Sequence, residues 1–192
     1  MDARLSATDL ACRRGDRVLF AGMSFALAAS EALQVTGPNG CGKTSLLRIA
    51  AGLLRPMAGA VECSGSIGMV DERHALDPEL PLGDALEFWA GLDGADIALA
   101  AQQLELDELL DVPVRFLSTG QKKRAALARL AGQDAAIWLL DEPLNGLDTS
   151  GTALVERLVA KHCAGGGIAL VASHQAIALP GGQTIAIGDY AP

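Results

Sequence analysis

Gly37-Pro38-Asn39-Gly40-Cys41-Gly42-Lys43-Thr44 has the spacing G-x-x-x-x-G-K-[ST]. Consecutive backbone N–H groups converge on one point only where side chains leave room, which is what the glycines provide. Such a loop, running into a helix N-terminus, cradles phosphate oxygens. Lys43 then reaches the β- and γ-phosphates of a nucleotide and the Thr44 hydroxyl takes Mg²⁺, with Ser45 next on the same turn. Downstream, Trp138-Leu139-Leu140-Asp141-Glu142 is an apolar run ending in two acids. Ligands sit at the carboxyl ends of parallel strands. Asp141 is placed to hold Mg²⁺ through water, and Glu142 to act as general base for a water attacking the γ-phosphate. Two acids after a strand also describe a solvated turn; the phosphate loop upstream selects the site.

These groups need elements to position them. Ala32–Thr36 is a short strand that feeds the phosphate loop, and a helix pattern follows over 43–54, stopping near Pro56. Residues 3–11 and 17–28 alternate apolar and polar around Arg14-Gly15-Asp16, which predicts an antiparallel hairpin. Residues 61–70 look extended. The pattern over 82–110 is helical, broken at Gly91 and Gly94. Another helix follows Gly120, with Ala125, Ala126, Leu127, Leu130 and Ala131 on its apolar face. The all-apolar run before Asp141 predicts a buried parallel strand. A helix at 149–163 and a strand at 168–172 complete an α/β order with a helical insertion at 75–133. Phe88 and Trp89 are adjacent on a predicted helix, so one of them is a candidate for facing outward toward a partner.

Length and composition bound the alternatives. The 192 residues predict one domain, and 50% hydrophobic content excludes a disordered chain. Fifteen Lys and Arg against 23 Asp and Glu give a net charge of −8, against a broad nucleic-acid surface. Aromatics at 4% exclude stacking platforms for single strands. The four cysteines include no C-x-x-C, which fits reduced thiols in a cytosolic compartment. Residues 162–188 contain no Asp, Glu, Lys or Arg, but glycine- and proline-containing breaks divide them. Two buried strands and their turns are expected there, not a membrane span. The start, Met1-Asp2-Ala3-Arg4, leads to no apolar core of an export signal.

Leu117-Ser118-Thr119-Gly120-Gln121, followed by Lys122-Lys123-Arg124, resembles the signature loop of the ABC ATPases, usually L-S-G-G-Q. Asn145-Gly146-Leu147-Asp148 is similar to that family's D-loop, and Ser173-His174 to its switch histidine. The order of these elements with the phosphate loop and Asp141-Glu142 covers essentially the whole chain. The resemblance implies a P-loop NTPase ABC nucleotide-binding domain over residues 1–192, α/β, with a helical subdomain and a small antiparallel β-subdomain. ATP and Mg²⁺ are the implied cofactors, with Lys43, Glu142 and His174 catalytic. It also implies a head-to-tail homodimer in the ATP-bound state, in which Ser118, Gly120 and Gln121 close on the nucleotide held by the second subunit. One position departs from the family: Glu72 stands where the Q-loop usually has Gln, so a charged Mg²⁺ ligand is expected there.

Further pieces resemble the ATP-binding subunit of the cytochrome c maturation haem exporters. They include Leu10-Ala11-Cys12-Arg13-Arg14-Gly15-Asp16-Arg17 and Asp111-Val112-Pro113-Val114-Arg115. Arg14 stands where many ABC subunits place an adenine-stacking aromatic, and a guanidinium also stacks on a base. The resemblance implies a peripheral subunit on the cytoplasmic face of the bacterial inner membrane, paired with integral membrane permease subunits. ATP turnover would support haem delivery to a periplasmic chaperone. No direct haem binding is expected, since C-x-x-C-H is absent and His74, His162 and His174 are scattered. Another small ABC importer or exporter, or a non-hydrolysing ATP-binding adaptor, are the alternatives.

Overall fold

A computed structural model describes residues 3–94 and 97–191. The alternating amino-terminal segments form β1 (Arg4–Arg14) and β2 (Arg17–Ala28), an antiparallel pair turning at Gly15. β3 (Ala32–Thr36) enters the phosphate loop, and α1 (Lys43–Ala50) leaves it. The helix is shorter than its apolar pattern predicts: the N–H groups of Leu53 and Leu54 both turn back to Arg48 O. The extended stretch 61–70 is two strands in different sheets. β4 (Ala58–Ser64) pairs with β1, and β5 (Ile67–Val70) pairs with β6 (Ile137–Asp141). The break is at Gly65, whose φ of 122° turns the chain from one sheet to the other.

α2 (Leu82–Asp93) runs through Gly91 and ends at Gly94, which caps it in the left-handed region. α3 (Ile97–Gln103) and α4 (Thr119–Gly132) complete the helices before β6. α5 (Thr149–Ala164), β7 (Ile168–Ala172) and β8 (Gln183–Ala186) follow. The second sheet has the order β5-β6-β7-β3-β8, and its pairs are parallel. β8 is an edge strand and more exposed than its uncharged sequence suggests, whereas β7 is buried throughout.

Both faces of this sheet are covered, which is why β6 and β7 read as uninterrupted apolar runs. Period two sorts their side chains. Ile137, Leu139, Ile168 and Leu170 pack with α1 and the antiparallel sheet; Trp138, Leu140, Ala169 and Val171 pack with α4 and α5. A fully buried Leu such as Leu46 or Leu127 contributes about 1.5–3 kcal/mol. Val35 and Asp141 are each level with Ala172 on the intervening strand. The phosphate loop, Glu142 and Ser173-His174 therefore emerge together at one carboxyl edge.

Candidate active site

Gly42, with φ 116°, lets the chain turn from the loop into α1 in a conformation side chains rarely adopt. Lys43, 6% exposed, points back into the loop. Its ammonium donates to Gly37 O at 2.8 Å and Pro38 O at 3.3 Å, and lies 3.2 Å from Glu142 Oε1. The other carboxylate oxygen, Glu142 Oε2, is 2.8 Å from His174 Nδ1 and also accepts from the His174 backbone N–H at 3.4 Å. Glu142 has φ 46°, costly for a residue with a side chain and common where a catalytic group must be aimed. Its N–H donates to Ala172 O at 2.8 Å, tying that turn to β7.

Asp141 sits beneath, 3% exposed, with Oδ1 buried and lacking a hydrogen-bond partner. Burial raises its pKa; the Thr44 hydroxyl, hydrogen-bonded to the carboxyl, opposes this, while Glu142 adds to it. An unpartnered buried carboxylate oxygen beside a hydroxyl is a donor set that suits a hard cation such as Mg²⁺.

A cleft of about 440 Å³ opens above these groups. Asn39, Gly40, Gly42, Lys43, Thr44 and Ser45 form its floor, and Arg14, Glu72 and Glu142 lie on its walls. Arg14 and Glu72 thus share the cleft although 58 residues separate them. Gly37 and Pro38 contribute carbonyls to Lys43, and Cys41 packs inward against the core of the antiparallel-sheet side. His174 approaches only through Glu142.

The second group of sequence-predicted residues lies elsewhere. Ser118 caps α4: its hydroxyl accepts from Gln121 N–H at 3.2 Å, and its own N–H donates to Gln121 Oε1 at 2.8 Å. A Cβ on Gly120 would meet Gly146 O at 2.5 Å, so only glycine permits that contact. Ser118, Gly120 and Gln121 line a cleft of about 230 Å³ that shares no lining residue with the cleft of Lys43. A larger hollow of about 500 Å³, at the amino edge of the sheet, is lined by the stacked Trp138 and His162. Its charged lining is Asp134 and Lys161, with neither a phosphate loop nor a pair of adjacent carboxylates.

Lys123 belongs to the site's surroundings and was not singled out from sequence. It is 4% exposed, donates to Asp71 O at 3.4 Å, and burial lowers its pKa while Asp141 and Asp71 oppose that shift. The signal was present: Lys123 lies three, four and seven positions before the apolar residues Ala126, Leu127 and Leu130, on the buried face of α4.

A glycine loop between a parallel strand and a helix, with acids ending a strand two places away, defines a P-loop ATPase. The model of the ABC transporter family matches residues 20–145. The chain is 55% identical to the cytochrome c biogenesis ATP-binding export protein CcmA of Novosphingobium aromaticivorans, over 98% of this chain and 97% of that one. It is 49% identical to the CcmA of Sphingopyxis alaskensis, over 100% of both. Among solved structures, an ATP-binding ABC transporter protein of Pyrococcus furiosus superposes with a TM-score of 0.86 at 23% identity, covering 98% and 100% of the two chains. A metal-chelate-type ABC transporter superposes with 0.81 at 25% identity, covering 97% of this chain and 80% of that one. The chain belongs to the ABC transporter family and is an ABC-type ATPase of CcmA type.

Proposed function

We propose that the whole chain, residues 1–192, works as one ATPase domain that energises haem export for cytochrome c maturation. The cytochrome c biogenesis export proteins to which it is similar support the process. The observation that carries the chemistry is Glu142 held between Lys43 at 3.2 Å and His174 at 2.8 Å.

Nucleotide phosphates enter the cleft over the N–H groups from Asn39 to Ser45. They take the Lys43 ammonium from the loop carbonyls and Glu142, so the charge that now neutralises Glu142 turns to the β- and γ-phosphates. Arg14 stacks on the base at the cleft rim. Glu142, released from Lys43 and still oriented by His174, accepts a proton from water. That water's oxygen bonds to the γ-phosphorus as the bond to the ADP oxygen breaks. Positioning and charge neutralisation supply most of the acceleration in such transfers. Asp141, Thr44 and Glu72 would hold Mg²⁺, which when bound neutralises charge on the β- and γ-phosphates.

Ser118, Gly120 and Gln121 face a cleft of their own, so in this reading they bind the γ-phosphate of a nucleotide held by a second copy. The N-terminal dipole of α4 favours that anion. Among the described residues no helix is long and apolar enough to cross a membrane. In this reading, which rests on the similarity to cytochrome c biogenesis export proteins, the ATPase dimer sits on permease subunits at the cytoplasmic face of the inner membrane. Glu142→Gln tests the assignment. Turnover should fall at least ~100-fold, as for loss of a general base, while ATP and Mg²⁺ drive the variant into a stable dimer. Unchanged turnover, or a variant that stays monomeric at every concentration, would overturn it.

A further inference from the structure

Arg14 and Arg17 are register partners across the turn Gly15-Asp16 that joins β1 to β2. Register partners on an antiparallel pair point to the same face, and like charges directly opposite each other destabilise it. Both residues are exposed. Among the described residues neither guanidinium has an ion pair, and Asp16 between them has none either. Residues 13–17 hold three Arg and one Asp, a concentrated positive charge in a chain whose net charge is −8. The pair stands at the nucleotide site, for Arg14 lines the cleft of Lys43. Lys43 and the loop N–H groups already serve the phosphates there. Two opposed cations at the rim call for an anion from outside the chain.

A matching negative charge adjoins the second cleft. Residues 105–111 hold four Asp and Glu and no Lys or Arg. A hollow of about 420 Å³ is lined there by Glu105, Asp107, Glu108, Gln121 and Arg124. It shares Glu105, Gln121 and Arg124 with the cleft of Ser118, so the two are continuous. Part of this charge is answered within the chain. Arg124 donates to Leu104 O at 2.9 Å and lies 3.7 Å from the Glu105 carboxylate. Asp107 and Glu108 are exposed on the 3-10 turn Asp107–Leu109 and have no ion pair among the described residues.

We propose that in the ATP-bound dimer Arg14 and Arg17 of one copy clasp Asp107 and Glu108 of the other. This rests on the reading in which two copies share two nucleotides, and it adds the contact that steers and registers their closure. With Ser118 and Gly120 over the γ-phosphate at Lys43, the hollow that continues past Gln121 reaches outward over the same nucleotide. Its acids then come to the rim where Arg14 meets the base. Two-fold symmetry makes the clasp twice. Closure relieves the repulsion between the two arginines and covers the base. The opposed arginines select the occupant of the acidic hollow: a second copy brings a guanidinium pair already aligned with a nucleotide. Complementary charge of this kind favours correct encounter and register, and at exposed side chains salt screens it.

The test uses the full chain carrying Glu142→Gln, in ATP and Mg²⁺, with dimerisation followed by analytical ultracentrifugation. Arg17→Glu should raise the dimer dissociation constant at least ~10-fold, and Asp107→Lys with Glu108→Lys should do the same, as for close charge pairs across an interface. All three changes in one chain should restore it to within about threefold, because each clasp then has its charges exchanged. Both losses should fade in ~0.5 M NaCl. Affinity of the monomer for ATP should stay within about twofold throughout, since Arg17, Asp107 and Glu108 lie outside the lining of the Lys43 cleft. With Arg17→Lys, a carbodiimide should join the new amine to Asp107 or Glu108 of a second copy when ATP is present. Mixing isotope-labelled with unlabelled chains identifies a link between copies. Dimerisation unchanged by charge reversal, a loss that the triple exchange does not restore, or a link confined to one chain would overturn the clasp. So would a fall of ~10-fold or more in the monomer's ATP affinity with Arg17→Glu, which would make the nucleotide itself the anion between the arginines. A Glu142→Gln chain that stays monomeric in ATP brings down the shared-nucleotide reading and the clasp with it. A dimer indifferent to the reversals brings down the clasp alone, so the two failures are distinguishable.

Discussion

At the carboxyl edge of the parallel sheet, Lys43, Glu142 and His174 form a chain of close charged contacts over a buried Asp141. At the amino end of α4, Ser118 and Gln121 satisfy each other through a reciprocal cap, and Gly120 leans on the Gly146 carbonyl. The first cleft is rich in ionisable side chains, so it can bind phosphates and move a proton. The second is also lined by Glu105, Arg124 and Asp148, but Arg124 is held by Leu104 O, Glu105 O and the Glu105 carboxylate and Asp148 accepts from Gly151 N–H, so its pull on anions comes chiefly from backbone N–H groups and the helix dipole. Under the proposed function this division makes each cleft one half of a site that a second copy completes.

The largest effect that sharpens the contrast is expected at Lys43. Lys43→Met keeps the length of the side chain and removes its charge. Nucleotide affinity of the isolated chain should fall about 100-fold, roughly the 2.7 kcal/mol of a charge-assisted contact to phosphate. Titration with a fluorescent ATP analogue measures it. An unchanged dissociation constant would mean that the ammonium stays on the carbonyls of Gly37 and Pro38, and that the loop alone holds phosphate.

The two clefts also differed in how far the sequence exposed them. The phosphate loop, Asp141-Glu142 and the strands that aim them are local patterns, and β3, β6 and β7 lie within a residue or two of where the apolar runs put them. Long-range pairing was harder. Residues 61–70 are extended throughout, and nothing in a run of alternating residues says that Gly65 sends its halves to different sheets. Periodicity overruns a helix end where a turn overrides it, as at Ala50, and Gly91 reads as a breaker in the sequence because its effect depends on what lies around it. Lys123 was hidden in a cluster of basic residues whose burial only the α4 face reveals. Of Phe88 and Trp89, adjacency makes one a candidate to face outward and equally allows both to be buried; the structure leaves Phe88 exposed and ties Trp89 to Ala75 by a hydrogen bond.

A smaller effect, and one confined to the second cleft, is expected for Gly120→Ala. The added methyl meets Gly146 O at 2.5 Å and forces the start of α4 away from the Asn145–Asp148 turn. Affinity of the isolated chain for ATP should stay within about twofold, because the clash is at Gly146 and only Asn145 of the Lys43 cleft's lining belongs to that turn, while the phosphate loop and Lys43 lie outside it. Hydrolysis by the assembled dimer should fall about tenfold or more, an energy of ~1.4 kcal/mol or above. A matching loss of affinity in the monomer would join the two clefts and break the comparison.

The smallest effect belongs to Glu72, where the first cleft departs from its family. Glu72 lines the same cleft as Lys43 and Thr44, yet its side chain is exposed. An ionised Glu offers oxygen acceptors and no donor, whereas Gln offers one carbonyl oxygen and an amide donor. Either can place an oxygen on Mg²⁺, so Glu72→Gln should retain most activity. Its dependence on Mg²⁺ should move to somewhat higher concentrations, since one negative charge is lost. Glu72→Ala removes the oxygen and should weaken hydrolysis more than nucleotide affinity, which Lys43 and the loop N–H groups carry. Mg²⁺ titrations at fixed ATP separate the cases. Three superimposable curves would assign Glu72 to solvent and leave Asp141 and Thr44 as the side chains that hold the cation. An ordered shift from Glu through Gln to Ala would show the first cleft tuned by charge at its rim, whereas the charged side chains lining the second, Glu105, Arg124 and Asp148, are engaged with one another or with backbone.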